Sequence, residues 1–262
     1  MTGMNDTATP RITGIARYPV KGLGPDRLER VGLSPGETLP FDRAWAIENG
    51  RSGFDPADPQ YLPKSKFLML MRNARLAMLD PGFDADTRVL SIRRDGKPVV
   101  SGCLDEAMGR QVLEQFFSGF MEEDLRGAPR ILSAPGHSFS DVAAKCVSII
   151  NEATVKDIAR VVGRPVDPLR FRGNFLIDGL PAWAEFGWLG REISLGGARV
   201  EVTDRIQRCA ATNVDPATAR RDMQLPKTLM GAFGHMDCGV YARVVAAGPV
   251  SVGDAVRGPE AD

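Results

Sequence analysis

The stretch RCAATNVDP, residues 208–216, places Arg208 directly before Cys209, with Arg205 also close by, in a chain of 262 residues that holds only four cysteines. A fixed positive charge beside a thiol lowers its pKa and favours the thiolate, the form that binds metal or attacks sulfur. The other three thiols read differently. Cys146 lies in an apolar run and reads as structural, while Cys103 and Cys238 have no comparable cationic neighbour in sequence. No CxxC motif or Cys/His cluster occurs. That argues against a structural zinc site and against an iron–sulfur cluster with clustered ligands.

A second group of chemistry-bearing residues consists of cations and one amide at loops beside strand ends. Lys21 follows the first apolar run, Arg43 sits in FDRAW, Arg170, Arg172 and Asn174 crowd LRFRGN, and Arg208 precedes the cysteine. Forked, charge-assisted hydrogen bonds hold phosphate best, and an asparagine amide can read a heterocycle edge. Taken singly, each arginine reads as a solvated surface charge; taken with Cys209, the group reads as a site for a phosphorylated cofactor. A helix starting after Asn151 adds free backbone N–H groups as a further anion site. Histidine catalysis is poorly supplied, since only His137 and His235 are present, and neither belongs to an HExxH motif or a triad. GxSxG, GxGxxG and Walker A motifs do not occur, which argues against a serine hydrolase or a standard nucleotide fold.

These residues need a scaffold, and the pattern for it is mainly β. RITGIARYPV alternates into a strand that stops at KGLGPD. RLERVGLSPGETLPFDRAWAIENGRSG suggests two strands split by Ser34-Pro35-Gly36, and Asp95-Gly96 between apolar runs signals a hairpin. LDEAMGRQVLEQFFSGFM has helical spacing, with Leu104, Ala107, Met108, Val112, Leu113, Phe116, Phe117 and Phe120 near one face. The charged, then Gly/Pro-containing segment 122–130 marks a domain boundary, giving modules at 11–126 and 127–258. Beyond it, a strand at Cys146–Ile150 runs into the N-cap Asn151 and a helix that closes at Gly163. Further strands follow in FRGNFLIDG, EISLGGARVEVTDRI and GVYARVVAAGPVSVGDAV, with Gly196-Gly197 as a hairpin turn.

Equal totals of 33 basic and 33 acidic residues leave no global field for nucleic acid or an anionic membrane, so anion recognition must be local. MTGMNDTATP is neither a basic leader nor an apolar one and reads as a disordered tail. FLMLMRNARLAML is too short and too charged to span a bilayer. A cytoplasmic location is expected, with cysteines kept reduced.

Several stretches together resemble a known family. ARYPVKG and FDRAW resemble the N-terminal β-barrel module of MOSC proteins, and LRFRGNFLIDG, RCAATNVDPATA and GVYARVVAAGPVSVGDAV resemble the MOSC domain. MOSC domains occur in molybdenum-cofactor sulfurases and in amidoxime-reducing enzymes. The resemblance implies a MOSC-type β-barrel domain packed with an N-terminal β-barrel-like module, mainly β with a few helices (α+β). It implies molybdenum held by the dithiolene of a pterin, the molybdenum cofactor (molybdopterin), and by one protein cysteine, here Cys209; a soft thiolate suits such a metal. Lys21, Arg43, Arg172, Asn174 and Arg208 fall where the family holds its cofactor, and Thr154, Thr212 and Tyr241 sit in matching stretches. One departure is Gly22, where the family commonly has serine, so one phosphate-directed hydroxyl is absent.

Two functions are compatible with this resemblance. One is an oxidoreductase that removes oxygen from an N-hydroxylated or similar small molecule. No ferredoxin-like segment with clustered cysteines is present, so its electrons are expected from a separate electron-donor protein. The other is a carrier of persulfide sulfur or of the cofactor, acting with a separate cysteine desulfurase or apo-molybdoenzyme, since no pyridoxal phosphate desulfurase segment is recognised.

Overall fold

The computed structural model describes residues 9–259. The tail expected at the N-terminus lies, for residues 1–8, outside the described residues. In chain order the first half contains β1 (Arg11–Arg17), β2 (Asp26–Leu28), β3 (Arg30–Leu33), β4 (Ala46–Glu48), β5 (Asp80–Phe83), β6 (Val89–Arg94), β7 (Lys97–Cys103), helix α1 (Ala107–Phe120) and β8 (Arg130–Leu132). The second half contains β9 (Val147–Asn151), α2 (Glu152–Val162), β10 (Phe175–Asp178), β11 (Glu192–Leu195), β12 (Ala198–Gln207), α3 (Leu225–Phe233), β13 (Asp237–Ala246), β14 (Gly248–Ser251) and β15 (Val256–Arg257). The protein is mainly β, as expected.

The largest sheet has the order β15-β11-β12-β13-β9-β10-β1-β2, so the first two strands of the chain complete a sheet built mostly from the second half. β1 runs antiparallel to β10, and β9 runs parallel to β10 through the α2 crossover. Alternation decides which core each side chain joins. Val147 and Ile149 of β9, with Phe175 and Ile177 of β10, enter the core inside the sheet. Ile150 and Leu176 point the other way, against Val155 and Ile158 of α2 and Leu229 of α3. Gly239 interrupts this pattern. At φ 78 it breaks the alternation of β13, so that Cys238 packs with the helices while Val240 joins the sheet core.

Local signals in the sequence account for several turns. Asp95 and Gly96, at φ 52 and 73, form the left-handed pair that a tight β6–β7 hairpin requires. Gly196-Gly197 joins β11 to β12. Asn151 accepts the Ala153 N–H to cap α2, and Gly163 at φ 79 ends it. The region around Ser34 differs from expectation. The strand expected before it is two short ones, β2 and β3, because they serve different partners: β2 pairs with β1 and β3 with β14. The next strand starts only at Ala46, after a turn in which Phe41 and Arg43 both have positive φ.

Helix α1 also departs from its expected face. Gly109, Leu113, Phe117 and Phe120 are buried, within or beside the core made by β5, β6 and β7, whereas Met108 and Val112 point outward and Leu104 precedes the helix. Phe117 is 0% exposed and Val112 42%. Phe117→Ala is therefore expected to lower stability by about 3–5 kcal/mol. Val112→Ser is expected to change it by less than about 0.5 kcal/mol. Urea denaturation of the two variants checks the assignment of the buried face.

Candidate functional site

Where β1, the turn before β4 and the ends of β10, β12 and β13 come together, the structure encloses a cavity of about 470 Å³. Lys21, Arg43, Arg172, Asn174, Arg208, Cys209, Thr212 and Tyr241 all line it. With Arg170, which also lines it, nine of the ten cofactor-site candidates read from the sequence thus meet in one place.

Six of the first eight donate to main-chain carbonyls. Lys21 donates to the Phe139 carbonyl at 2.8 Å and to Asp141 Oδ1 at 2.5 Å. Arg43 pairs with Asp42 through Nη1 and donates from Nη2 to the Arg172 carbonyl at 3.0 Å. Arg172 caps a 3-10 turn at Pro168–Phe171 in the left-handed conformation and donates to the Leu23 carbonyl at 2.8 Å. Asn174 is consumed structurally: its Oδ1 accepts from the Ser148 N–H and hydroxyl, and its Nδ2 donates to the Ala16 carbonyl, tying β9 to β1.

Arg208 interacts with the Cys209 thiol through its charge, as its place in the sequence suggests, but its hydrogen bonds go elsewhere. Its guanidinium donates to the carbonyls of Phe171 and Cys238. The cation that does reach the sulfur is Lys64, whose Nζ lies 3.5 Å from Cys209 Sγ. Lys64 also pairs with Asp141 at 3.3 Å, so one carboxylate links it to Lys21. Burial opposes ionisation of Asp141, but the two lysines outweigh it and hold the carboxyl well below the usual range. Nothing in the sequence flagged Lys64 or Asp141, because neither stands near the cysteine motif; only packing brings them there.

The rest of that motif builds the floor under the thiol. Cys209 precedes a 3-10 turn at Ala210–Asn213, and the Thr212 hydroxyl donates to the Cys209 carbonyl at 3.0 Å. Asp215 accepts from Arg170 at 2.8 Å and from the N–H groups of Ala217 and Thr218. Arg221 donates to the carbonyls of Ala210, Leu70 and Met71, fastening the cysteine loop to a loop of the first half.

Seven cationic side chains line the cavity against three carboxylates, Asp42, Asp141 and Asp204. Arg170 is matched outside the lining by Asp215 and Asp222, which leaves six cations to three carboxylates. Burial, with Arg43 nearby, pushes Arg172 down to about 10, and burial lowers Lys21 and Arg208 as well. A cavity with this surplus attracts an anion. Cys146 also lines it, but burial pushes its thiol up to about 12, so Cys209 is the thiol suited to ligation.

Thr154 corrects the sequence expectation. It is fully buried behind the sheet, where its hydroxyl donates to Glu185 at 2.8 Å and accepts the Trp183 N–H, and it does not line the cavity. The N-terminus of α2 is likewise closed by the chain itself. Asn151 caps it with Oδ1 and turns its amide to Glu185 and the Pro181 carbonyl, so no free anion site opens there. Neither histidine lines the cavity: His137 packs against Phe54 and Phe139, and His235 accepts the Asp237 N–H among Trp183, Phe186 and Phe233.

Residues 134–257 match the MOSC domain, and residues 9–130 match the MOSC N-terminal beta barrel domain. The chain belongs to the MOSC family. This MOSC protein is 24% identical over 286 residues to mitochondrial amidoxime reducing component 2 of Bos taurus, covering 91% of the chain and 80% of the relative. It is 34% identical over 116 residues to a molybdenum cofactor sulfurase of Caenorhabditis briggsae, covering 42% of the chain but only 16% of that protein's length. Among solved structures, the YUAD protein from Bacillus subtilis aligns over 95% of the chain and 94% of its own at 13% identity and a TM-score of 0.45.

Gly22, which departs from the serine common in the family, is required by the backbone of this MOSC protein. Its φ is 90, and a Cβ there would stand 2.8 Å from the Leu68 carbonyl oxygen. Gly22→Ser is therefore expected to lose about 1–3 kcal/mol of stability in thermal or urea unfolding, rather than to gain a useful hydroxyl.

Glu185 carries a pH signature. Burial raises its carboxyl above the ordinary glutamate range, against the hydrogen bonds from Asn151 and Thr154. The folded state then keeps a proton that the unfolded state has released. Its share of stability is complete below the unfolded value and is lost as pH rises through the higher folded value. Unfolding free energy measured against pH should show that decline in the wild type and lack it in Glu185→Gln.

Proposed function

We propose that the cavity seats a phosphorylated pterin whose dithiolene, together with Cys209, holds molybdenum, and that the protein is an oxidoreductase removing oxygen from N-hydroxylated or similarly N-oxygenated small molecules. The observation that carries this reading is the meeting of one accessible thiol with Lys21, Arg43, Arg172 and Arg208 around a single cavity. The residues present suit such a group. The volume of about 470 Å³ falls in the ordinary range for cofactor pockets. The excess of cations calls for a multiply charged anion, and the thiol is the soft ligand that molybdenum in a sulfur-rich setting takes. The resemblance to an amidoxime reducing component over 91% of the chain supports the same chemistry.

In this reading the protein's own groups have distinct tasks. Arg43, Arg172 and Lys21 receive the phosphate end, where guanidinium forks and an ammonium outweigh the cost of burying a dianion. Arg208, held by two carbonyls, stiffens the entry to Cys209. Lys64 offsets the charge of the sulfur and presents N–H donors at the same end of the cavity. Met69, Leu70 and Met71 give that cavity an apolar wall. When bound, the cofactor supplies two-electron oxygen-atom transfer, and the protein supplies orientation and electrostatics. Electrons then come from a separate donor protein.

Protein purified from cells competent in cofactor synthesis is expected to contain molybdenum and to release a fluorescent pterin on oxidation. Cys209→Ala should keep its melting temperature but reduce turnover of an N-hydroxylated substrate by more than about 100-fold, the scale on which loss of metal support acts. Wild-type protein that carries neither metal nor pterin, yet gains one sulfur on Cys209 from a cysteine desulfurase, contradicts this reading in favour of a sulfur carrier.

A further inference from the structure

Tyr18 lies outside the cavity lining, yet it touches the two arginines that matter most there. The guanidinium carbon of Arg43 lies 4.6 Å from the centroid of its ring and that of Arg172 lies 4.3 Å away. The residue is 0% exposed, and its hydroxyl finds no hydrogen-bond partner among the described residues. A buried tyrosine ordinarily pairs its hydroxyl. Here the ring, and not the oxygen, makes the contacts that the fold uses.

We propose that Tyr18 is a positioning residue for the anion end of the cavity, its ring holding Arg43 and Arg172 in the arrangement that receives a phosphate. The inference rests on the reading of this cavity as the seat of a phosphorylated cofactor. Two buried guanidinium groups side by side repel, and each must be offset or it turns away. Arg43 has Asp42 as a counter-charge, but Arg172 has no ion-pair partner among the described residues and keeps only the Leu23 carbonyl and the tyrosine ring. A desolvated cation over an aromatic face is held electrostatically, which makes the ring the group that orients Arg172.

The main chain locks the ring in register with both. The Tyr18 N–H donates to Asp42 Oδ1 at 2.8 Å and the Tyr18 carbonyl accepts from the Arg43 N–H at 2.8 Å. Arg43 in turn reaches the Arg172 carbonyl. Arg43 and Arg172 both occupy left-handed backbone at φ 51, a conformation that non-glycine residues keep only where neighbours impose it. Tyr18 is the side chain common to both.

The test uses the full chain, purified from a host unable to make the pterin, with inorganic phosphate as the probe and calorimetry at low ionic strength as the readout. Tyr18→Phe should bind phosphate within about twofold of wild type, since the hydroxyl has no partner. Tyr18→Leu should bind on the order of tenfold more weakly, from loss of two cation–π contacts. A series of fluorinated phenylalanines at position 18, which drains the ring face of charge with little change of shape, should weaken binding step by step. That series decides the matter even if the leucine variant does not fold. Phosphate affinity that stays level from phenylalanine through the fluorinated series overturns the role of Tyr18 and leaves the cavity reading standing. A folded wild type that shows no phosphate binding removes the anion site itself, and the proposal with it.

Discussion

A surplus of buried positive charge is the constraint around which this protein is arranged. Lys21, Arg43, Arg172 and Arg208 arrive from four separated stretches of chain, and all face one cavity. Like charges in a poorly solvated space repel, and folding must hold them there without the anion that matches them. The fold does so with oxygen atoms of its own backbone: the carbonyls of Leu23, Phe139, Phe171, Arg172 and Cys238 each accept from one of these side chains. Asp42 and Asp141 supply counter-charges within the fold, and the proposed anionic cofactor would complete the balance.

That requirement explains the topology. β1 leaves the first half to pair antiparallel with β10, which sets the segment after β1, with Lys21, near the segment before β10, with Arg172 and Asn174. Asn174 then ties β9 to β1 with its amide, spending a polar side chain on alignment rather than on a ligand. Arg221 does the same for the loop of Cys209, joining it to the carbonyls at Leu70 and Met71. The thiol is therefore placed by contacts across the two halves, not by its own loop alone.

Much of this was legible from local chemistry. Asp95-Gly96, Gly196-Gly197 and the Asn151 cap could be read directly, because turn and cap geometry depend on a few neighbouring residues. Most of the cavity's cations were legible as residue types at loop positions in recognisable motifs. What could not be read was orientation and long-range company. Thr154 stands in the first turn of α2 beside a strand end, yet its hydroxyl faces Glu185 behind the sheet. Arg208 adjoins the cysteine in sequence, yet its donors go to Phe171 and Cys238, and the cation at the sulfur comes from Lys64. Tyr18 was visible only as part of a strand motif, and its contact with two arginines exists only once the halves are packed.

In the proposed site Cys209 supplies a sulfur ligand to the metal of a cofactor whose phosphate end meets the cationic wall. X-ray absorption at the molybdenum edge, on the wild type and on Cys209→Ser loaded with cofactor under identical conditions, tests it most directly. Two dithiolene sulfurs plus one thiolate sulfur are expected around molybdenum in the wild type, with the thiolate contribution lost in the variant. The same sulfur shell in both proteins contradicts it.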